Sequence, residues 1–299
     1  WSVEHFLKTF KPKLGLFMET EAWPTVVFRC AEIGLPLFLV NARLSERSAR
    51  RVNRFGKAGR ALFQAFAGIL AQTDFDAQRY RSLGVKNISI VGNLKFDVDV
   101  SDQAQTLAKR WRGVLSARPV VMLASTRDGE ESLWLEALQS NPERLARLKA
   151  RHVLWLVVPR HPQRFDEVRA LIEQAGLRCV RRSAWVDGEP DAETMASADA
   201  VLGDSLGEMQ AYYLVSRMAL LGGSFAPLGG QNLIEAAACE CPVVMGPHTF
   251  NFSEAAALAK QEGAALQVND MNVALDHVVS ALTQPEWLEQ MQTATVQML

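Results

Sequence analysis

The stretch from Met218 to Pro247, MALLGGSFAPLGGQNLIEAAACECPVVMGP, constrains the fold more than any other part of the sequence. Its first apolar run, 218–221, predicts a buried parallel strand. Two glycine pairs follow, then an Ala-rich segment that predicts a helix opened by Asn232, then a second apolar run at 243–245. This order is typical of a parallel α/β sheet that binds a ligand at its carboxyl edge, because glycine lets backbone approach a ligand closely.

The polar residues of this stretch allow two interpretations. Glu235 lies about one helical turn after Asn232, so both side chains can face the same mouth. A carboxylate there can accept hydrogen bonds from ribose hydroxyls, and Gly222 and Gly223 can lie close to a phosphate. A tight turn with a capping Asn and a solvated Glu would contain the same residues, so the glycine loop alone does not decide between them.

Composition narrows the class of protein. The 299 residues suffice for two domains, and 48% hydrophobic and 22% charged residues are usual for a globular α/β protein. A net charge of −1 argues against a nucleic-acid partner. No apolar run approaches a membrane span or a signal peptide. Cys239 and Cys241 lack a neighbouring ligand pair, which favours reduced core thiols, a cytoplasmic setting and no metal site.

Polar residues also follow the predicted strands of the first hundred residues. Glu19 and Glu21 come after a predicted short buried strand, 14–18, and Lys95 comes after the strand at 88–91. Ligands of α/β proteins bind at such strand ends. Acidic residues that favour a helix dipole and an ordinary surface lysine are the alternatives. A predicted helix at 47–60 carries a cationic stripe, which is either a solvated face or a docking surface for anionic lipid.

A second strand–helix series begins after a domain boundary near residue 98. The expected domains are residues 1–98, the remainder of an acceptor-binding domain, 99–284, a nucleotide-binding domain, and 285–299, a truncated terminal helix. Polar residues end its strands at Ser125-Thr126, at Arg160-His161 and at Gly207-Glu208, and the glycine loop ends a fourth. Four such turns at one sheet edge predict a ligand site better than any one of them.

Seven segments in one order resemble the Kdo transferases, which transfer 3-deoxy-D-manno-oct-2-ulosonic acid (Kdo) from CMP-Kdo to a lipid A precursor, lipid IVA, in lipopolysaccharide biosynthesis. The resemblance implies a GT-B fold, in which two Rossmann-like, doubly wound parallel-sheet domains face a cleft. It further implies inverting transfer at the cytoplasmic face of the inner membrane. We expect no metal or cofactor, because the Asp-x-Asp pair at Asp97 and Asp99 lies in the linker and not at a strand end. The segments are METEAWP (18–24), NARLSERS (41–48), GNLKFD (92–97), VPRHPQRF (158–165), GDSLGEM (203–209), GGSFAPLGGQNLIEAAA (222–238) and GPHTFNF (246–252).

The resemblance also implies roles for single residues. Glu19 and Lys95 would stabilise the transition state. CMP would be bound by Pro159, Arg160, Leu206, Gly207, Glu208, Asn232, Leu233, Ile234 and Glu235, to which the sequence pattern adds Gly222 and Gly223. The further candidates for contact with the acceptor or the donor sugar are Glu21, Arg43, Ser125, Thr126 and Asn251.

One part of the family pattern has no counterpart in this sequence. The family's general base is a Glu in an S-V-G-E segment ahead of M-E-T-E, and the acid that precedes Glu19 here, Glu4, lies outside any matching motif. The chain opens on Trp1 and ends within a predicted helix, so we interpret it as a fragment that lacks the base. A sugar-nucleotide epimerase of similar fold and a nucleotide-binding module without activity are the competing hypotheses.

Overall fold

The computed structural model describes residues 2–115 and 118–298, and for Lys95 it describes the backbone alone. The chain forms two compact units, Trp1–Asp97 (the N-terminal unit) and Val98–Leu299 (the C-terminal unit). Each has its own hydrophobic core. No helix in the described part of the chain combines the length and the apolar character that a membrane span requires.

The N-terminal unit is a parallel sheet of order β1-β2-β3-β4 with helices between its strands. Leu39, Ile69 and Tyr80 are fully buried at the centre of its core. Its strands are β1 (Gly15–Met18), β2 (Leu37–Ala42), β3 (Gly68–Ala71) and β4 (Ile88–Ile90), and its helices are α1 (Ser2–Phe10), α2 (Pro24–Glu32), α3 (Glu46–Arg54), α4 (Gly56–Gln64) and α5 (Asp74–Ser82).

Two predictions for this unit are wrong in detail. β1 is an edge strand with alternating exposure rather than a buried one, and Leu16 is 60% exposed. The single basic helix predicted at 47–60 is instead two helices. Gly56 breaks it at a φ of +58°, a conformation in which glycine has no Cβ penalty. Arg47 and Lys57 therefore belong to different helices and do not form one continuous stripe.

The C-terminal unit is a larger parallel sheet covered by helices. Its strands are β5 (Val120–Thr126), β6 (Leu154–Pro159), β7 (Cys179–Arg181), β8 (Ala200–Leu202), β9 (Met218–Leu221), β10 (Val243–Met245) and β11 (Ala265–Gln267). Its helices are α6 (Asp102–Leu115), α7 (Glu130–Ser140), α8 (Pro142–Ala150), α9 (Phe165–Gln174), α10 (Ala192–Ser197), α11 (Met209–Val215), α12 (Ile234–Ala238), α13 (Ser253–Gln261), α14 (Met271–Thr283) and α15 (Pro285–Met298).

The strand order of this sheet is β11-β10-β9-β5-β6-β8-β7, and every pair is parallel. From β5 the chain passes to β6 and on to β7 at the edge, β8 returns to the place between β6 and β7, and β9 then lies on the other side of β5. The order therefore reverses between β5 and β9. In doubly wound sheets, ligands bind in the crevice outside the carboxyl ends of the strands at such a reversal.

Central strands of this sheet are buried on both faces, as parallel sheets with helices on both sides require. Consecutive residues of β5, Val120 to Ala124, are all buried, and so is every residue of β6. Cys239 and Cys241 are free thiols within this core, and burial raises the pKa of Cys239 to about 12. They behave as small apolar residues at neutral pH.

Candidate functional site

The carboxyl ends of β5 and β9 bring the glycine loop against Ser125. The backbone N–H of Gly222 donates to the carbonyl of Ala124 at 2.8 Å, and a Cβ on Gly222 would collide with the carbonyl oxygen of Ser125. Gly223 has a φ of +69°. Both positions need glycine, the first for close backbone approach and the second for its left-handed conformation. This loop lies at the reversal point of the sheet.

Glu130 holds the glycine loop in place. Its carboxylate is 1% exposed and accepts backbone N–H groups from Gly223 at 2.6 Å, Phe225 at 3.0 Å and Ala226 at 3.2 Å, as well as from Arg127 at 2.9 Å. Four backbone N–H groups on one buried carboxyl group hold the loop backbone firmly. The first residue of α7 thus fixes the backbone that follows β9.

Glu131, the next residue, ties β5 to the segment after β6. It is fully buried, accepts the hydroxyl of Thr126 at 2.6 Å and pairs with both terminal nitrogens of Arg164 at 2.9 Å. Burial disfavours the charged form of Arg164, but the hydrogen bonds and charge of Glu131 outweigh it, so the pKa of Arg164 is raised. Thr126, predicted as a sugar contact, is 2% exposed, which fits a role in positioning this segment.

Arg160 lies at the open edge beside this network. Its backbone N–H donates to the carbonyl of Thr126 at 2.9 Å, and its side chain is exposed, as is that of His161. Pro159 is the buried last residue of β6. A guanidinium at this position can bind a phosphate through two parallel hydrogen bonds. Ser125, near the end of β5, and Arg160, directly after β6, thus lie at the carboxyl ends of neighbouring strands, next to the reversal point.

The segment 206–208 follows β8 at the same sheet edge. Leu206 is 78% exposed and Gly207 has a φ of +80°. Glu208 is largely enclosed: Arg182 pairs with its carboxylate at 2.7 Å, and the hydroxyls of Ser205 and Tyr212 donate to it. The Glu208 side chain therefore anchors the loop, and the exposed Leu206 and the backbone of Gly207 form its outer surface.

Arg182 is itself held between two aromatic rings. Its guanidinium carbon lies 4.9 Å from the ring centroids of Trp111 and of Trp185, within the range of cation–π attraction. Trp111 also stacks on Tyr212 with centroids 5.6 Å apart. A rigid aromatic cluster thus positions the 206–208 loop through Glu208.

The predicted helix at Asn232 begins two residues later and is short. α12 starts at Ile234 and has five residues, and the side chain of Asn232 accepts the N–H of Ile234 at 3.1 Å. So short a helix has a small dipole, which makes it a weak anion site. Leu233 and Ile234 are buried, so they offer a ligand little beyond backbone. Asn251 donates to the carbonyl of Leu228 at 2.9 Å and so braces the glycine loop.

Glu235 is partly buried, and burial raises the pKa of its carboxyl group. Ionised Glu235 therefore destabilises the folded state, and wild-type stability falls as the pH rises through the folded-state pKa. We expect Glu235→Gln to melt at a higher temperature than wild type at neutral pH, and this advantage to shrink as the pH falls toward 4 to 5, about the unfolded pKa of Glu. Scanning calorimetry across this range measures the difference, with the exposed Glu262→Gln as the control. An unchanged or lower neutral-pH melting temperature would contradict the expectation.

The N-terminal unit places a second set of polar residues at its carboxyl edge. Glu19 follows β1 with a φ of +53°; its N–H donates to the carbonyl of Val40 at 3.0 Å, and its carbonyl accepts the N–H of Arg43 at 3.3 Å. The Glu21 carboxylate accepts the indole N–H of Trp23 at 2.5 Å. Glu19, Glu21 and Arg43 thus lie on two adjoining loops, after β1 and β2.

Asn41 connects these loops to the turn that carries Lys95. It is 3% exposed with a φ of +51°, and its side-chain oxygen accepts the N–H of Leu94 at 3.1 Å. Its carbonyl accepts the side-chain amide of Gln72 at 2.9 Å. Lys95 lies in the 3₁₀ turn Leu94–Phe96, and its side chain is outside the described part of the structure. Val40 therefore contacts the Glu19 loop through its backbone carbonyl, and Asn41 contacts the Lys95 turn through its side chain.

We expect Asn41→Ala to loosen this connection and to destabilise the N-terminal unit. The loss is about 1 kcal/mol for the hydrogen bond to Leu94 plus about 1 kcal/mol for a left-handed backbone that Ala tolerates poorly. Hydrogen exchange at the Leu94 amide measures the first component. Asn41→Gly removes the backbone strain but also the acceptor for the Leu94 N–H, so exchange of the Leu94 amide should rise. Asn41→Asp keeps an acceptor oxygen, so exchange of that amide should stay slow. Equal exchange in all variants would contradict this role.

The sequence pattern missed Glu130, Glu131, Asn41 and Arg182 as site-forming residues. Two acids in the first turn of a helix are common where they favour the dipole, so Glu130 and Glu131 carried no distinct signal. Their position directly after a strand–turn at the ligand edge is the clue that was available. Arg182 lies in a polar, irregular stretch of sequence that offers no such clue.

Comparisons with known proteins show which proteins this chain resembles. The family model for 3-deoxy-D-manno-octulosonic-acid transferase (kdotransferase) matches residues 1–98. A 3-deoxy-D-manno-octulosonic acid transferase of Bordetella pertussis is 44% identical over 287 residues, which cover 95% of this chain and 64% of that protein. The chain thus spans less than two thirds of that relative's length.

Two of the solved structures that resemble this chain match different shares of it. The C-terminal CMP-Kdo binding domain of WaaA from Acinetobacter baumannii is 34% identical, with a TM-score of 0.56, and the match covers 66% of this chain and 95% of that one. The UDP-GlcNAc 2-epimerase of Neisseria meningitidis, bound to UDP-GlcNAc, covers 97% of this chain and 74% of its own, with a TM-score of 0.50 and 14% identity. The second likeness shows a shared fold alone.

Proposed function

Since this chain belongs to the 3-deoxy-D-manno-octulosonic acid (Kdo) transferase family, we propose that it provides the nucleotide-binding unit and part of the acceptor-binding unit of an enzyme of lipopolysaccharide biosynthesis. The enzyme transfers Kdo from CMP-Kdo to a lipid A precursor, lipid IVA, with inversion at the anomeric carbon. It works at the cytoplasmic face of the inner membrane, where a lipid acceptor is accessible.

One observation carries the proposal: polar and glycine-rich loops converge at the reversal point of the C-terminal sheet. Arg160 is exposed beside Ser125, Gly222 adjoins the Ser125 backbone, and the 206–208 loop follows β8 at the same edge. This is the position at which doubly wound sheets bind nucleotides. The resemblance to a CMP-Kdo binding domain supports a cytidine nucleotide as the ligand.

The proposed reaction needs stabilisation of a leaving phosphate. The acceptor hydroxyl gives its proton to the family's general-base Glu, for which this sequence has no matching motif, and its oxygen attacks C2 of Kdo. The C2–O bond to the phosphate breaks, and CMP departs with the negative charge. Arg160 hydrogen bonds to that phosphate, and Lys95 and Glu19 stabilise the charge that develops around the sugar and the attacking hydroxyl. A preorganised donor such as Arg160 or Lys95 typically lowers the barrier by about 3 kcal/mol. Glu235 accepts the ribose hydroxyls, which fits a carboxylate whose partial burial is unfavourable without a ligand.

A transfer assay tests the proposal. The complete gene product that contains these residues is incubated with labelled CMP-Kdo and lipid IVA, with and without EDTA. We expect label on the lipid and equal rates in both samples, because cationic side chains can offset the charge of a monophosphate leaving group. Conversion of a sugar nucleotide with no transfer would favour an epimerase. CMP binding without either reaction would favour a nucleotide-binding module.

A further inference from the structure

A groove of 560 Å³ opens on the surface of the N-terminal unit, and it has a mainly apolar lining. Helices α2, α3 and α4 form its walls, and Leu44, Phe63 and Tyr80 lie at its base, all of them buried. Its volume falls within the range of small-ligand sites. Its size and its apolar lining suit a slender apolar group.

Aromatic side chains line the groove while remaining in contact with solvent. Phe28 of α2 is 38% exposed, and Phe55, at the break between α3 and α4, is 70% exposed. Exposed large apolar groups beside an apolar groove are typical of a surface that binds a partner or a lipid. Burying these rings under an apolar ligand would remove that surface from water.

The charged residues that line the groove have one sign. Arg43 and Arg51 line it, and none of the described residues that line it is an Asp or a Glu. α3 carries four arginines, Arg47, Arg50, Arg51 and Arg54, against one acid, Glu46, which is paired with Arg50. An apolar groove with a cationic border complements an amphiphile that has an acyl chain and an anionic head group.

The groove begins beside the proposed catalytic edge. Thr20 and Ala22, which belong to the loop that starts at Glu19, are part of its lining. Arg43, also in the lining, donates its backbone N–H to the carbonyl of Glu19 at 3.3 Å. A head group at Arg43 and Arg51 would therefore lie near Glu19. This proximity favours the lipid that reacts over a bulk lipid of the membrane.

We propose that this groove binds one acyl chain of the lipid acceptor and that Arg43 and Arg51 bind an anionic group next to that chain. The proposal rests on the proposed function, since it assigns the acceptor's apolar part to a defined site. The groove then contributes to acceptor affinity and holds the sugar end of the lipid at the edge that carries Glu19. The nucleotide site is not involved.

Binding of a single-chain probe tests the groove without turnover. Myristoyl lysophosphatidic acid, below its critical micelle concentration, is titrated into the chain by calorimetry. Ala58→Phe fills the groove from its exposed wall, and Ala61→Phe on the same helix, outside the lining, is the matched control. We expect Ala58→Phe to weaken binding by about tenfold or more, because methylene groups of the chain stay in water. Ala61→Phe should bind as wild type does.

Two comparisons separate the outcomes. Glycerol phosphate, which lacks the chain, should bind far more weakly, and the phosphocholine counterpart of the probe should bind more weakly than the acid. Equal affinity of wild type and Ala58→Phe for the probe would contradict binding of the acyl chain in the groove. Equal affinity of wild type for glycerol phosphate and for the acylated probe would contradict it as well. These results need neither CMP-Kdo nor catalysis, so failure of the transfer assay does not affect them.

Whether the groove binds the lipid acceptor itself is tested in the complete gene product. Ala58→Phe should raise the apparent KM for lipid IVA by about tenfold, by the same loss of chain burial, and should leave the affinity for CMP unchanged. Loss of probe binding with an unchanged KM would assign the groove to a bulk membrane lipid and overturn its role in acceptor binding. A change in CMP affinity would show that the substitution acts beyond the groove.

Discussion

Replacing Glu131 with Ala is expected to lower the free energy of unfolding of the C-terminal unit by about 3–5 kcal/mol, the usual loss when one partner of a buried ion pair is removed. Glu131 is fully buried and Arg164 is 12% exposed, so the variant leaves a guanidinium enclosed without its bidentate partner. The hydroxyl of Thr126 loses its acceptor as well. Urea unfolding followed by tryptophan fluorescence measures the change, since five of the seven tryptophans belong to this unit.

A matched control uses the same arginine. Glu167 also pairs with Arg164, at 3.4 Å, but its side chain is 54% exposed. Glu167→Ala should cost less than about 1 kcal/mol, as exposed pairs do. The double variant Glu131→Leu/Arg164→Met replaces the pair by apolar groups and should recover much of the loss. Equal costs for Glu131→Ala and Glu167→Ala would contradict the central structural role of Glu131.

The second large effect concerns Arg160. Arg160→Ala is expected to slow Kdo transfer by the complete gene product about 10²- to 10³-fold, because it removes a preorganised donor to the leaving phosphate. Its side chain is exposed, so the fold should not change. Arg160→Lys keeps the charge without the bidentate geometry and should recover only part of the rate. The rates are measured at saturating lipid acceptor.

Arg151 offers a control near the opposite end of β6. It precedes β6 and is exposed, whereas Arg160 follows β6, so the two arginines lie at opposite edges of the sheet. Arg151→Ala carries the same loss of charge and should transfer Kdo at the wild-type rate. Equal rates for Arg151→Ala and Arg160→Ala would contradict binding of the leaving phosphate at the reversal point of the sheet.

The fold class could be predicted from the sequence because apolar runs of parallel strands are distinct. The run 120–124 and the run 218–221 both became central strands, and the prediction of an α/β chain with parallel sheets is confirmed. The glycine pair after β9 was also informative. Gly222 allows the close approach of the Ser125 backbone, and Gly223 has the positive φ that the chain needs at this strand end.

Other features depend on contacts that no local pattern encodes. Glu131 and Arg164 are 33 residues apart, and Asn41 and Leu94 are 53 residues apart, so spacing rules do not connect them. α8 was missed although Asn141 caps it and Pro142 begins it, because both signals lie close behind the longer α7. The edge position of β1 depends on strand pairing, which its own four residues do not reveal.

Two consecutive acids organise much of the candidate nucleotide site. Glu130 fixes the glycine loop after β9, and Glu131 fixes the segment after β6 that presents Arg160. The loops on either side of β5 are therefore held from the first turn of one helix, α7. Such support keeps a site's backbone in place before a ligand arrives, which lowers the ordering cost of binding.

The most direct test is a calorimetric titration of CMP into this chain, with Glu235→Ala and the control Arg151→Ala beside it. We predict saturable binding of CMP to wild type and to Arg151→Ala, and a loss of at least about tenfold in affinity for Glu235→Ala, the size expected when a charged hydrogen-bonding partner is removed. A folded chain that binds no CMP, or one whose affinity is the same in all three proteins, would contradict a nucleotide site at the reversal point of the C-terminal sheet.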